Sequence, residues 1–218
     1  MPIADGRLPT GRRTARAGAR PAGILCLLAG LAALAGCGGT FQVRANRQIA
    51  QPAEWVVAVF PLDDSATEGT TEEYAVYGRT GAQGSGAMFA RGILRAVAAS
   101  GRFRSIGETA LRNLMLDEKL ASAELSRLDD RRAGELGRKL GANLVVRGKV
   151  AAFHRSRFLF VPRATVLLEL RGLDPSTGET IWSATLGDSS TSRSEAALIP
   201  KIAADALRAI AEGIGATL

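Results

Sequence analysis

The chain has 218 residues and carries 28 Lys and Arg against 21 Asp and Glu, a formal net charge of +7. Five of those arginines and one of the aspartates lie in residues 1–36, so the remaining 182 residues hold 23 basic and 20 acidic groups, a net +3. That near balance argues against nucleic acid as a partner, and the length fits one domain.

The first predicted element is a leader, residues 1–36. Arg7, Arg12, Arg13, Arg16 and Arg20 precede an apolar run of 13 residues, Ile24–Gly36. A helix needs about 20 apolar residues to cross a bilayer, so this run is too short. A basic start, a short apolar middle and small residues at the end describe a signal peptide. The stretch Leu34-Ala35-Gly36-Cys37 resembles the bacterial lipobox. The resemblance implies cleavage before Cys37 and acylation of that cysteine, the one covalent group expected on a chain with no cofactor. Each buried CH2 of an acyl chain contributes about 0.8 kcal/mol, and more than one chain gives lasting attachment. Gly38, not aspartate, follows the cysteine, which under the same resemblance implies the periplasmic face of the outer membrane. Cys26 would leave with the leader. No disulfide can then form within one chain, and the core must hold the fold without covalent staples.

Residues 37–52 read as a short tether, because Gly38 to Pro52 shows no apolar periodicity. At ~3.5 Å per residue, about 16 residues reach at most ~55 Å. Residues 53–218 form the domain. Glu54 to Pro61, EWVVAVFP, is short, apolar and rich in valine, and predicts a buried strand. Leu62 to Thr80 is a polar loop, long enough to be functional or mobile. Gly84 to Ala99 repeats Met88, Ile93, Leu94 and Val97 at helical spacing and stops at Ser100-Gly101. Phe103 to Ile106 predicts a short strand. Glu108 to Leu116 and Ser126 to Leu140 predict two helices, the second ended by Gly141. Asn143 to Phe153, Arg163 to Leu173 and Glu179 to Leu186 predict strands, the last two joined by the turn Asp174-Pro175-Ser176-Thr177-Gly178. Ser194 to Ala216 predicts a final helix. There Ile199, Ile202, Ala203, Ala206, Leu207, Ile210 and Ile214 form one stripe, with Lys201, Asp205, Arg208 and Glu212 off it. The order β-α-β-α-α-β-β-β-α places the chain in the α/β class, a mixed sheet with helices packed on it.

Catalytic chemistry is poorly served. His154 is the single histidine, in a basic and aromatic stretch without a nearby acid, so a Ser-His-Asp arrangement lacks its parts. Zinc needs three or four Cys or His ligands, which the mature chain cannot supply. Gly81, Gly84 and Gly86 do not follow a strand directly, as a dinucleotide fingerprint requires; they read as small residues that allow close packing. Asp63-Asp64 and Asp129-Asp130 are sequence neighbours whose side chains diverge, and Asp129-Asp130 suits a helix start. The stretch Phe153-His154-Arg155-Ser156-Arg157-Phe158-Leu159-Phe160-Val161-Pro162-Arg163 is different. It concentrates arginine and phenylalanine, residue types enriched at interfaces, at a hairpin whose edge could meet another chain. Arg155, Arg157, Phe158 and Phe160 are the candidate partner-binding residues.

Several ordered motifs resemble one known group. Val56-Val-Ala-Val-Phe-Pro61 opens the domain. Gly101-Arg-Phe-Arg-Ser-Ile106 precedes Leu111-Arg-Asn-Leu-Met-Leu-Asp-Glu118. Then come Leu136-Gly-Arg-Lys-Leu-Gly-Ala-Asn-Leu-Val-Val-Arg-Gly-Lys-Val150 and Asp174-Pro-Ser-Thr-Gly-Glu-Thr-Ile-Trp182. Behind a lipobox, this set is similar to the lipoprotein superfamily of the curli secretion channel (CsgG) and the peptidoglycan synthase activator LpoB. The resemblance implies a lipid-anchored, non-enzymatic envelope protein that works by contacts with other proteins: a synthase, a secretion component, or further copies of itself in a homo-oligomer. For the channel branch it implies two membrane hairpins per subunit. With ~9–11 residues per membrane strand, two hairpins need about 40, and the two available connections are far shorter. For the activator branch it implies a span of the periplasm, for which a reach of ~55 Å is marginal.

Reversing the charge at Arg155 and Arg157 is expected to abolish capture of an envelope partner while the melting temperature stays put. Unchanged capture would remove this hairpin from the interface.

Overall fold

A computed structural model describes residues 39–46, 51–67, 79–80, 84–158, 161–190 and 195–216, with 79–80, 155–158, 161–163, 189–190 and 195–197 placed by backbone. All of them fall in one compact unit, Gly38–Leu218. Seven strands form one sheet: β1 (Thr40–Ala45), β2 (Val56–Val59), β3 (Arg79–Thr80), β4 (Arg104–Ser105), β5 (Leu144–Phe158), β6 (Val161–Leu173) and β7 (Thr180–Ser190). Their order is β1-β7-β6-β5-β2-β4, with β3 paired to β5 beside that path. Strand β2 runs parallel to β4 and β5. Strands β5, β6, β7 and β1 pair antiparallel in turn.

Five helices complete the described unit: α1 (Ser85–Ala99), α2 (Glu108–Asp117), α3 (Ser122–Arg127), α4 (Asp130–Lys139) and α5 (Glu195–Gly213). The expected mixed α/β architecture is therefore present. Helices α1 and α5 cover one sheet face. Phe89, Ile93 and Val97 of α1, with Ile202, Ala206 and Ile210 of α5, meet Val57, Val59, Leu144 and Val146 in one core. The rings of Phe89 and Phe153 pack edge to face at 5.3 Å. The apolar stripe predicted for the last helix is this buried face. Off the stripe, Lys201 pairs with Asp188 of β7 at 2.8 Å, and Arg208 lies 3.6 Å over the Phe41 ring of β1.

Helices α2, α3 and α4 form a second, smaller core on the opposite face. Leu114, Leu125, Ala133 and Leu136 close on Ala58, Phe60, Val145 and Leu173. Strand β2 and the start of β5 are thus buried on both faces, which is why their sequences are unbroken apolar runs.

Several elements differ from the sequence reading. Part of the stretch read as tether is strand β1, whose partner β7 lies far along the chain. Its Phe41 and Val43 lean on the larger core while Thr40, Gln42 and Arg44 are exposed. The predicted helix Ser126–Leu140 is two helices, broken at Leu128, whose ψ of 152° is extended. Asp129 caps the second one, its side chain accepting from the Arg132 N–H at 2.7 Å, as its acidic start suggested. Strands β5 and β6 run on to Phe158 and Val161, so the connection between them is shorter than expected. Of the polar loop, residues 68–78 lie outside the described residues. Arg79 and Thr80 pair with Ser156 and Arg155.

Two close approaches fix the packing. The Gly86 N–H donates to Asp64 Oδ2 at 3.1 Å, and a Cβ on Gly86 would lie 1.9 Å from the Leu62 carbonyl oxygen. Gly86 alone of the three glycines shows such close packing; Gly84 has open space around it and a φ of 78°, and Gly81 lies outside the described residues. Trp182, fully buried, occupies a notch between two strands and a helix. A Cβ on Gly172 would lie 2.1 Å from its Nε1, and one on Gly213 would lie 2.4 Å from its Cγ.

Gly86→Ala forces backbone apart at the α1 start and is expected to cost about 1–3 kcal/mol. A lowered urea midpoint with an unchanged slope is the readout; an unchanged midpoint would contradict the packing described.

Candidate binding surface

The three helices of the smaller layer cover only the β4-β2-β5 half of their sheet face. Beyond them no described helix covers the face of β6, β7 and β1, and strand alternation sends mostly polar side chains to it, with Glu169, Arg171 and Arg44 exposed there. A groove of about 570 Å³ runs where the helices stop, between Ser126, Arg127 and Leu128 on one wall and Lys149, Glu169, Arg171, Ser183 and Thr185 on the sheet.

Arg147 sits at the floor. Its side chain is only 5% exposed, and it projects from β5 toward the α3–α4 junction. Nη1 lies 3.1 Å from Asp130 Oδ1. Nη2 donates to the carbonyl oxygen of Ser126 at 3.2 Å and to that of Leu128. One guanidinium therefore holds two backbone acceptors at the break between helices, where no helical N–H serves them. Burial, and then the neighbouring Arg171 cation, lower the Arg147 pKa; Asp130, Asp129 and Asp63 act against them.

Arg171 of β6 lies 3.0 Å from the same Asp130 Oδ1, so one carboxylate oxygen serves two guanidiniums. At the mouth, Arg127 Nε lies 3.3 Å from Asp63 Oδ1. Burial alone would raise the Asp63 pKa, but hydrogen bonds from Ser65 and Arg127 outweigh it and hold the carboxyl below its usual value. Asp64 meanwhile points to Gly86, so the two adjacent aspartates do diverge. Lys149 and Glu169, directly opposed on β5 and β6, pair at 3.0 Å. Among the described residues, no group of His, Cys, Asp and Glu side chains is placed to hold a metal ion, and no helix is long and apolar enough to cross a membrane.

The residues expected to form the site fall elsewhere. Arg155, Arg157 and Phe158 lie on β5, where only the backbone is described, and Phe160 and Cys37 lie outside the described residues. His154 is a half-buried strand residue opposite Thr165. The groove's own residues carried one legible signal. Arg147 and Lys149 interrupt an otherwise apolar run, Leu144 to Val150, at alternate positions, which puts both on one sheet face.

No protein-family model matches the chain, and none of the curated proteins does. Solved structures are similar. A PelC dodecamer from Paraburkholderia phytofirmans, in a form carrying one substitution, matches at 18% identity and a TM-score of 0.53, over 79% of this chain and 98% of that one. Lipoprotein GNA1162 from Neisseria meningitidis matches at 16% identity and 0.44, over 72% and 99%. The LpoB C-terminal domain from Escherichia coli matches at 18% identity and 0.41, over 65% and 87%. At these identities the PelC similarity shows a common fold.

Arg147→Met leaves two carbonyls without their donor and Asp130 with Arg171 alone, and is expected to cost about 3 kcal/mol. Arg147→Lys keeps the charge but not the planar fork, and should fall between. Denaturant titration of both variants reads this out; equal stability of Met and wild type would show that the guanidinium holds nothing.

Proposed function

We propose that this chain is a lipid-anchored envelope protein that acts by binding other proteins, without catalysis, and that it assembles with copies of itself. The observation that carries the reading is the fold shared with a PelC chain whose solved form is a dodecamer, matched over 98% of its length. The lipobox around Cys37 supports the anchor. The absence of a nucleophile and base pair in the sequence supports a binding role.

Strand β1 sharpens the reading. With Thr40 already in the sheet, Gly38 and Gly39 alone separate Cys37 from the first strand. Three residues reach about 10 Å, far less than the whole stretch 37–52 would. An anchored domain therefore works at its own membrane, at the periplasmic face of the outer membrane in this proposal. That reach favours a partner or a second copy in the same plane. It disfavours activation of a peptidoglycan synthase across the periplasm, unless the synthase spans the gap. The hairpin of β5 and β6, with Arg155, Arg157, Phe158 and Phe160, remains the proposed contact surface. Among the described residues it runs three pairs past the pairing of β6 with β7, from Ala164↔Arg155 to Phe158↔Val161. Membrane strands of ~9–11 residues are longer than that projection, which weighs against a curli-type channel subunit.

The mass of the full-length acylated protein in mild detergent, measured by light scattering, tests this. A closed ring of many subunits is the expected result. A monomer at all concentrations would overturn assembly and leave an adaptor that binds other chains.

A further inference from the structure

The register of the sheet lines up one row of side chains across four strands. Arg147 of β5 is opposite Arg171 of β6, Arg171 is opposite Ser183 of β7, and Ser183 is opposite Arg44 of β1. Directly opposed residues share a face, so three arginines and a serine stand in line on the open side. Like charges placed opposite one another destabilise a sheet. The next row obeys the opposite rule, since Lys149 faces Glu169 and pairs with it at 3.0 Å. Within one sheet the chain therefore satisfies the pairing rule in one row and breaks it in its neighbour. Places where a fold breaks its own local rules are commonly functional.

The row is short of negative charge. Asp130 serves both Arg147 and Arg171 through one oxygen, and the Arg171 cation helps to lower the Arg147 pKa. Arg171 is 42% exposed and Arg44 is exposed on the outermost strand. Strand spacing of about 4.8 Å puts their backbones about 10 Å apart, with the Ser183 strand between. An anion laid across β6, β7 and β1 would meet a guanidinium at each end.

We propose that this row and the adjoining groove bind an acidic peptide segment of a partner protein, its carboxylates seated on Arg171 and Arg44. Asp130 shows the preferred ligand, because a protein carboxylate is what Arg147 and Arg171 already hold. Guanidinium forks match carboxylates in shape and number of donors. Glu169 and Asp63 also face the groove. They repel a doubly charged phosphate or a densely charged glycan more than a peptide that spaces single charges with neutral residues. This site is separate from the β5–β6 hairpin and does not depend on the chain being anchored or assembled.

The test uses the full-length protein in mild detergent and a fluorescein-labelled ten-residue peptide that alternates glutamate with serine, with anisotropy as the readout. Saturable binding that weakens steeply as salt is raised is expected. Arg44→Glu with Arg171→Gln should weaken it about tenfold, and Arg44→Glu alone about threefold. Arg102→Glu, an exposed arginine outside this row, should leave it unchanged. Circular dichroism melting shows which variants are folded, and if the double variant is not, Arg44→Glu decides. No saturable binding overturns the proposal. So does an equal loss in Arg102→Glu, which would make the effect one of net charge. Tighter binding of polygalacturonate or of inorganic phosphate than of the peptide would overturn the peptide assignment.

Discussion

Strand β5 carries a constraint that the rest of the molecule obeys. On one side it pairs parallel with β2, on the other antiparallel with β6. A parallel pair cannot be joined by a tight turn and needs a crossover. The chain supplies α1 for one crossover and α2 to α4 for the other, and these bury both faces of the β4-β2-β5 half. Strands β5, β6 and β7 are joined in turn by hairpins alone, and β1 adds to β7 from far along the chain, so no crossover lays a helix on the β6-β7-β1 half. Helix α5 then covers one of its faces, and the other stays open. The open polar face follows from the change of strand direction at β5.

Arg147 stands where the covered and open halves meet. A buried guanidinium is costly unless its donors are satisfied, and here a carboxylate and two carbonyls satisfy it. Replacing a whole buried ion pair, here Arg147 together with Asp130, by apolar side chains of like volume is often no worse for stability. The presence of Arg147 therefore calls for a role beyond packing. It terminates the helical layer, and it sets up the shared carboxylate from which the charged row extends.

Much of this fold was legible in the residues. Continuous valine and leucine marked β2 and the start of β5, and helical spacing marked α1 and α5, because those elements bury wide apolar surfaces. The misses share a cause. Strand β1 has two apolar residues that touch the core, and its pairing with β7 is settled by contacts distant in sequence. The break at Leu128 carries no proline or glycine; Asp129 was its only local mark, read as a helix start inside one longer helix. The site was less legible still. Arg44, Arg147 and Arg171 lie far apart in the chain and become neighbours through strand register, which composition does not reveal. The hairpin arginines and phenylalanines drew notice because they are adjacent in sequence.

The notch around Trp182 has a consequence for how such a sequence can change. The indole fills space that Gly172 and Gly213 leave empty, and those positions belong to a neighbouring strand and to the last helix. A side chain at either glycine collides with the ring, and a smaller residue at 182 leaves a void that neither glycine can fill. Each single step is uphill. Among descendants of this chain the three positions would covary as one inherited unit, and the docking of the last helix would be transmitted with them.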